Sequence, residues 1–174
     1  GVSLYHASPN APDLDILVDD IKINTVPFKY GSNTDYLRFS TGNRNMKFRP
    51  YGGGANAIDT VLTFEPDKDF SVFVVDEFEQ AKVFRIFDDP SPPAAGNCKV
   101  RLINLSPDAE PVQLRIKGAT LPLTVGQSFM VASGFMDLSA VPSTFEILSG
   151  GVLVDEIPDV QLRSGWFYTI LVRG

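Results

Sequence analysis

Cysteine, histidine and tryptophan are almost missing from these 174 residues: Cys98, His6 and Trp166 each stand alone. One cysteine excludes an intrachain disulfide. Cys98 and His6 together make two candidate zinc ligands, where a site needs three or four. No metal and no cofactor are therefore expected. Cys98 has no histidine near it in sequence, so a nucleophilic role is not expected either. Cations are outnumbered, 15 Lys and Arg against 21 Asp and Glu, for a net charge of −6. Such a chain is repelled by phosphate backbones, which excludes nucleic acid as an expected partner. No apolar run approaches the roughly 18 residues that would span a bilayer. Gly1 stands where an initiating methionine would. It is expected to be a tag scar or a processing remnant, and the chain a piece of a longer polypeptide on which any membrane anchor would lie.

Helical periodicity is also lacking. Thirteen prolines and fourteen glycines punctuate the chain, and no twelve-residue window keeps apolar positions at helical spacing free of them. Only a short 3₁₀ turn is expected, at 8–12 or near 76–80.

What the chain has is a repeat. Residues 2–18, beginning Val2-Ser-Leu-Tyr-His-Ala-Ser-Pro, return 98 positions later as Val100-Arg-Leu-Ile-Asn-Leu-Ser-Pro, with the apolar phase kept. Met46-Lys-Phe48 recurs near Phe145-Glu-Ile147, and Phe70-Ser-Val72 near Tyr168-Thr-Ile170. A period near 100 is the size of a small domain, not of a solenoid unit. Period-2 alternation marks strands at 14–18, 46–49 and 112–116. Others are expected at 2–6, 36–39, 57–64, 70–76 and 81–87 in the first copy. In the second they are expected at 99–104, 135–138, 144–149, 152–162 and 167–173. The fold class read from this pattern is all-β, as two tandem immunoglobulin-like antiparallel β-sandwich domains. The first copy takes 1–89, a proline-rich linker 90–98, and the second copy 99–174. The second copy has no segment matching the 81–87 strand.

The Ser-Pro segments Ser8-Pro9 and Ser106-Pro107 read as turns between strands, with Ser bonding onward to backbone and Pro fixing φ. His6, replaced by Asn104 in the second copy, reads as a hydrogen-bonded structural residue. Gly52-Gly-Gly54 lacks the Lys-Ser/Thr of a phosphate loop and reads as a hairpin or bulge. Asp13, Asp15, Asp19 and Asp20 form an acidic cluster, and Asp88 with Asp89 a second. No calcium loop spacing accompanies them, and Asp13 with Asp15 is expected on a solvated strand face.

His6-Ala-Ser-Pro-Asn-Ala-Pro12, Leu14-Asp-Ile-Leu-Val-Asp19, Val26-Pro-Phe-Lys-Tyr-Gly31 and Asp35-Tyr-Leu37 resemble a bacterial family, the domain of unknown function 4397. The resemblance implies tandem immunoglobulin-like strands. It also implies export, with lipid-anchored members in the Bacteroides group, and hence a cell-surface or periplasmic location. It supplies no catalytic or binding residues.

The expected function is non-enzymatic: an exported module for binding, adhesion or spacing. Its partner would be a surface glycan or another envelope protein. The alternative is a glycan-binding accessory domain or glycan hydrolase using the acidic cluster or the cleft between the copies. One basic spot stands out on the acidic chain. Lys47 and Arg49 share a strand face, with Arg38, Arg44 and Tyr51 near in sequence. Arg38, Lys47, Arg49 and Tyr51 are the first candidate binding residues, and Trp166 the next.

Overall fold

The structure is a computed structural model that describes residues 1–89 and 91–174. Pro90, the first residue of the expected linker, lies outside the described residues. The chain is all-β and separates into two compact units, Gly1–Asp89 and Pro90–Gly174.

In the first unit β1 (Val2–His6), β6 (Asp69–Val75) and β7 (Lys82–Asp88) form one sheet. A second sheet runs β3 (Ile21–Lys22), β2 (Leu14–Val18), β4 (Gly42–Pro50), β5 (Ile58–Phe64). Leu4 and Val72 from the first sheet meet Ile16, Met46 and Phe48 from the second in one apolar cluster. A 3₁₀ turn, Phe78–Gln80, joins β6 to β7. In the second unit β8 (Asn97–Asn104) is flanked by β14 (Phe167–Val172) on one partner set. On the other it pairs β10 (Val131–Ala132) and β11 (Met136–Ser139). The facing sheet is β13 (Val152–Val160), β12 (Ser143–Ser149), β9 (Val112–Ile116). Its core holds Val100, Leu102, Leu114, Phe145 and Ile147.

The register carries the 98-residue shift through. Val2 pairs with Phe70 and Leu4 with Val72; Val100 pairs with Tyr168 and Leu102 with Ile170. Ile16 opposes Phe48 as Leu114 opposes Ile147. A one-residue slip would turn each apolar set out of the core, so the alternation holds both units to one register. Side chains even cap the same backbone group: the Ile16 N–H donates to Asn24 Oδ1 (2.7 Å), the Leu114 N–H to Thr124 Oγ1 (2.9 Å).

Three expectations need correcting. Pairing is not wholly antiparallel: β1 with β6 and β8 with β14 run parallel. The chain crosses to the other sheet and back between the two partners, a return that alternation cannot reveal. Residues 36–39 form no strand. Leu37 makes one bridge to Val2, whereas the matching Met136 lies in β11. Asn97 and Cys98 are strand residues of β8 rather than linker, opposite Ser139 and Leu138. β7 has no counterpart among the described residues of the second unit.

Candidate functional site

β2 turns into β3 through Asp19-Asp20, both with positive φ (49° and 66°). Two successive left-handed residues make the tight hairpin that suits strand twist, and Asp tolerates that conformation better than most side chains. The Asp19 carboxylate accepts hydrogen bonds from Arg44 Nη1 and the Asn45 N–H, both at 2.9 Å. The Arg44 bond, with the Asn45 N–H, holds that carboxyl below its ordinary pKa. Arg44 also donates to the carbonyls of Ser40 (3.0 Å) and Thr41 (2.6 Å), tying down the segment before β4.

The hairpin and that segment enclose a recess of about 390 Å³. Val18, Ile21, Ile23, Leu37 and Phe39 give it an apolar floor; Asp19, Arg38, Ser40 and Arg44 edge it. Ile21 is 69% exposed and leaves apolar surface open at the recess.

The expected basic surface does not exist as a unit. Lys47 Nζ lies 2.6 Å from Asp20 Oδ1 and 3.6 Å from Asp59 Oδ2. Arg49 Nε lies 3.7 Å from Asp15 Oδ2. Tyr51 carries the Lys22 ammonium over its ring, 4.4 Å from the centroid. Lys47, Arg49 and Tyr51 thus belong to a charge-compensated network between β2, β3 and β4. Arg38 is exposed and makes no hydrogen bond or ion pair with the described residues. Trp166 belongs to the second unit; it is 54% exposed, with the Arg163 guanidinium 5.2 Å from its ring centroid.

Asp15 is not on a solvated face, contrary to expectation. It is buried, with Lys22 Nζ 2.5 Å from Oδ1 and the Gly52 N–H donating to Oδ2 at 3.3 Å. Burial alone would raise its carboxyl, but Lys22, Gly52 and Arg49 outweigh that and hold it low. Gly52, Gly53 and Gly54 all have positive φ, which lets the β4–β5 turn bring that N–H to the carboxylate. Asp15, Asp19 and Asp20 are therefore ion-paired, and the Asp15 and Asp19 carboxyls are held low, the opposite of the raised carboxyl a general acid needs. Asp88 ends β7 and accepts hydrogen bonds from Tyr36 and Ser71, both at 2.8 Å. Among the described residues no group of three His, Cys, Asp or Glu could hold a metal ion.

His6 is buried beside Phe28 and Tyr30. Its Nδ1 accepts a long hydrogen bond from the Ser8 N–H, and Nε2 faces the Pro12 carbonyl, both at 3.4 Å. The tautomer protonated at Nε2 satisfies both contacts. Asn104 does the same work in the second unit, its Oδ1 accepting from the Ser106 N–H at 3.0 Å. Ser8 Oγ donates to the Asp76 carbonyl at 2.6 Å, so it ties its turn to the end of β6 rather than bonding onward within the turn as expected.

Sequence reasoning missed Ile21, Ile23, Leu37 and Phe39. A two-residue strand is too short for periodicity to register, and Leu37 and Phe39 sit in a segment without regular pairing. Asp19-Asp20 between two apolar runs was the available hairpin signal.

The model of a domain of unknown function, DUF4397, matches residues 1–115. The chain belongs to the DUF4397 family. The match covers the whole first unit and reaches into β9. No curated protein matches this DUF4397 chain. Among solved structures it is similar to an alpha-glucan-binding structure from a streptococcal virulence factor. Identity is 14%, coverage 97% of this chain and 92% of that one, and the TM-score 0.35. It is also similar to a family 41 carbohydrate-binding module of streptococcal virulence factors, at 13% identity, 97% and 92% coverage, and TM-score 0.31. A third is the family 26 module of Eubacterium rectale Amy13K in complex with maltoheptaose, at 10% identity, 99% and 92% coverage, and TM-score 0.33. Scores this low carry no argument about ligand.

Proposed function

We propose that this DUF4397 chain is a non-enzymatic binding module of an exported bacterial protein, built as two tandem immunoglobulin-like β-sandwiches and working at the cell surface or in the periplasm. The two sandwiches take residues 1–89 and the stretch from β8 onward, and a lipid anchor elsewhere in the polypeptide would hold them at the membrane. The ligand site in this reading is the recess beneath Arg38.

One observation carries it. Of the four clustered cations Arg38, Arg44, Lys47 and Arg49, the last three face carboxylates, and Arg38 alone stands exposed at the rim of an apolar recess. An unengaged guanidinium offers a bidentate, charge-assisted grip on a carboxylate or sulfate. The apolar lining of Val18, Ile21, Ile23, Leu37 and Phe39 would take the apolar face of the same ligand. An acidic sugar combines those two features. Trp166 remains a second, separate contact candidate.

A glycan array of uronic-acid, sialylated and sulfated sugars tests this, with Arg38→Ala and Trp166→Ala variants alongside the parent chain. Retention of acidic sugars that Arg38→Ala abolishes is expected. Lys47→Ala, which removes an ion-paired cation, is expected to bind as the parent does. No acidic sugar retained, or retention unchanged by Arg38→Ala, would overturn the reading.

A further inference from the structure

The residues around the Arg38 recess have counterparts in the second unit, and comparing the two separates what the fold needs from what it does not. Val18 is matched by Ile116 at the shift of 98. Leu37 bridges Val2 where Met136 pairs with Val100, so Leu37 is matched by Met136 and Phe39 by Leu138. All six side chains pack against the core of their own unit. That part of the recess lining is structural.

Three residues break the match. Arg38 is matched by Asp137, whose carboxylate accepts a hydrogen bond from the Ala94 N–H (3.0 Å). Asp19 is matched by Lys117, which is paired with Glu156. Ile21 pairs with Val18 across its hairpin, and Ala119, whose N–H donates to the Ile116 carbonyl, takes that place in the second unit. The hairpin therefore closes with an alanine there, and core packing does not call for the exposed isoleucine here. An aliphatic side chain and an unengaged guanidinium thus line one recess of about 390 Å³ for no reason that the fold supplies.

The polar edge narrows the ligand. Each Asp19 carboxylate oxygen accepts one hydrogen bond and keeps a lone pair, so this side of the recess takes a donor and repels a second anionic group. Arg44 spends three of a guanidinium's five N–H donors on Asp19, Ser40 and Thr41, and two remain. A ligand that meets all of these carries one carboxylate for Arg38, an amide N–H for Asp19 and a methyl group for Ile21. A sugar acid with an N-acyl substituent combines the three, and its ring hydroxyls serve the spare donors of Arg44. A densely sulfated sugar would bring further anions against Asp19.

We propose that the recess selects N-acylated sugar acids over plain uronic acids and sulfated sugars, and that Ile21 sets the preference. This rests on the acidic-sugar reading above and adds the second substituent to it. Arg38 holds the carboxylate of any sugar acid and so gives affinity without choosing among them. The choice comes from Ile21: an acyl methyl covers its exposed surface, whereas a hydroxyl in the same place leaves that surface wet.

The test is isothermal titration of the 174-residue chain with two matched ligands: the methyl glycoside of N-acetylneuraminic acid, and its analogue with a hydroxyl in place of the acetamido group. The acetamido sugar is expected to bind at least about four-fold more tightly, the ratio that burying one methyl group supplies. Ile21→Ala, which copies Ala119, is expected to erase the difference, and Arg38→Ala to abolish binding of both. Equal affinity of the parent chain for the two sugars, lost in Arg38→Ala, overturns the N-acyl preference and leaves the acidic-sugar reading standing. A preference that survives Ile21→Ala takes the role from Ile21 and overturns the proposal. No binding of the acetamido sugar overturns it as well; the glycan array then decides whether the acidic-sugar reading falls with it. N-acetylvaline bound as tightly as the acetamido sugar would give the recess to a peptide C-terminus and overturn both.

Discussion

The Lys22 ammonium sits 2.5 Å from the buried Asp15 carboxylate and 4.4 Å from the centre of the Tyr51 ring. Asp15 is only 2% exposed, so its charge depends on Lys22, the Gly52 N–H and Arg49. Replacing Lys22 by Met strips the nearest cation from a carboxylate that water cannot reach.

Lys22→Met is expected to destabilise the chain by about 1–3 kcal/mol, the cost of leaving a buried charged group short of a partner. Lys117→Met removes a solvent-exposed pair with Glu156 and is expected to change stability far less. Urea denaturation of both variants at neutral pH makes the comparison. Asp15 sets an acid limit as well. Its folded carboxyl titrates below the ordinary 3.8, so its stabilisation is whole above that value and lost as pH falls through the lower folded one.

His6 acts at milder pH. Burial lowers its pKa below 6.5, against the weaker pull of the Pro12 carbonyl and Asp13. The unfolded chain therefore takes up a proton that the folded one refuses. Stability should be level above about pH 6.5 and decline below it, until the folded imidazole itself titrates. His6→Asn copies Asn104 and is expected to keep the fold while removing this part of the decline. Denaturation curves at pH 7.5 and 5.5, for parent and variant, test it.

Cys98 is fully buried, and burial pushes its thiol pKa up. Only the thiolate reacts quickly. A disulfide reagent such as DTNB is expected to leave the native chain unmodified and to label it once guanidinium unfolds it. Rapid native labelling would refute this account of Cys98.

Phe48, at 0% exposure, fills the first core between the two sheets. Phe48→Ala is expected to cost about 3–5 kcal/mol through lost burial and the cavity left behind. Val61→Ala, on the same sheet but 57% exposed, should stay within about 0.5 kcal/mol. Thermal and urea unfolding of the two variants would separate these outcomes.

The all-β class, most strands and the shared register were legible in the sequence. Alternation such as Leu14, Ile16, Val18 depends only on the pleat, and the pleat is local. The turn role of His6 was legible because its ring bonds the N–H two residues on, which needs nothing distant; Ser8 instead donates to Asp76, 68 residues away. Three matters waited for tertiary structure. Parallel pairing of β1 with β6 joins segments more than sixty residues apart, and its apolar runs look the same in either direction. The Arg38 recess needs Ile21 and Phe39 side by side, which no spacing announces. Above all, the basic patch was read from one strand's face, while the aspartates that neutralise it come from others. Lys47 and Arg49 follow the pleat as expected; Asp20, Asp59 and Asp15 reach them only because β2 and β5 flank β4. Charge compensation across neighbouring strands is a property of the assembled sheet, and that is why, of the four clustered cations, Arg38 alone faces no carboxylate.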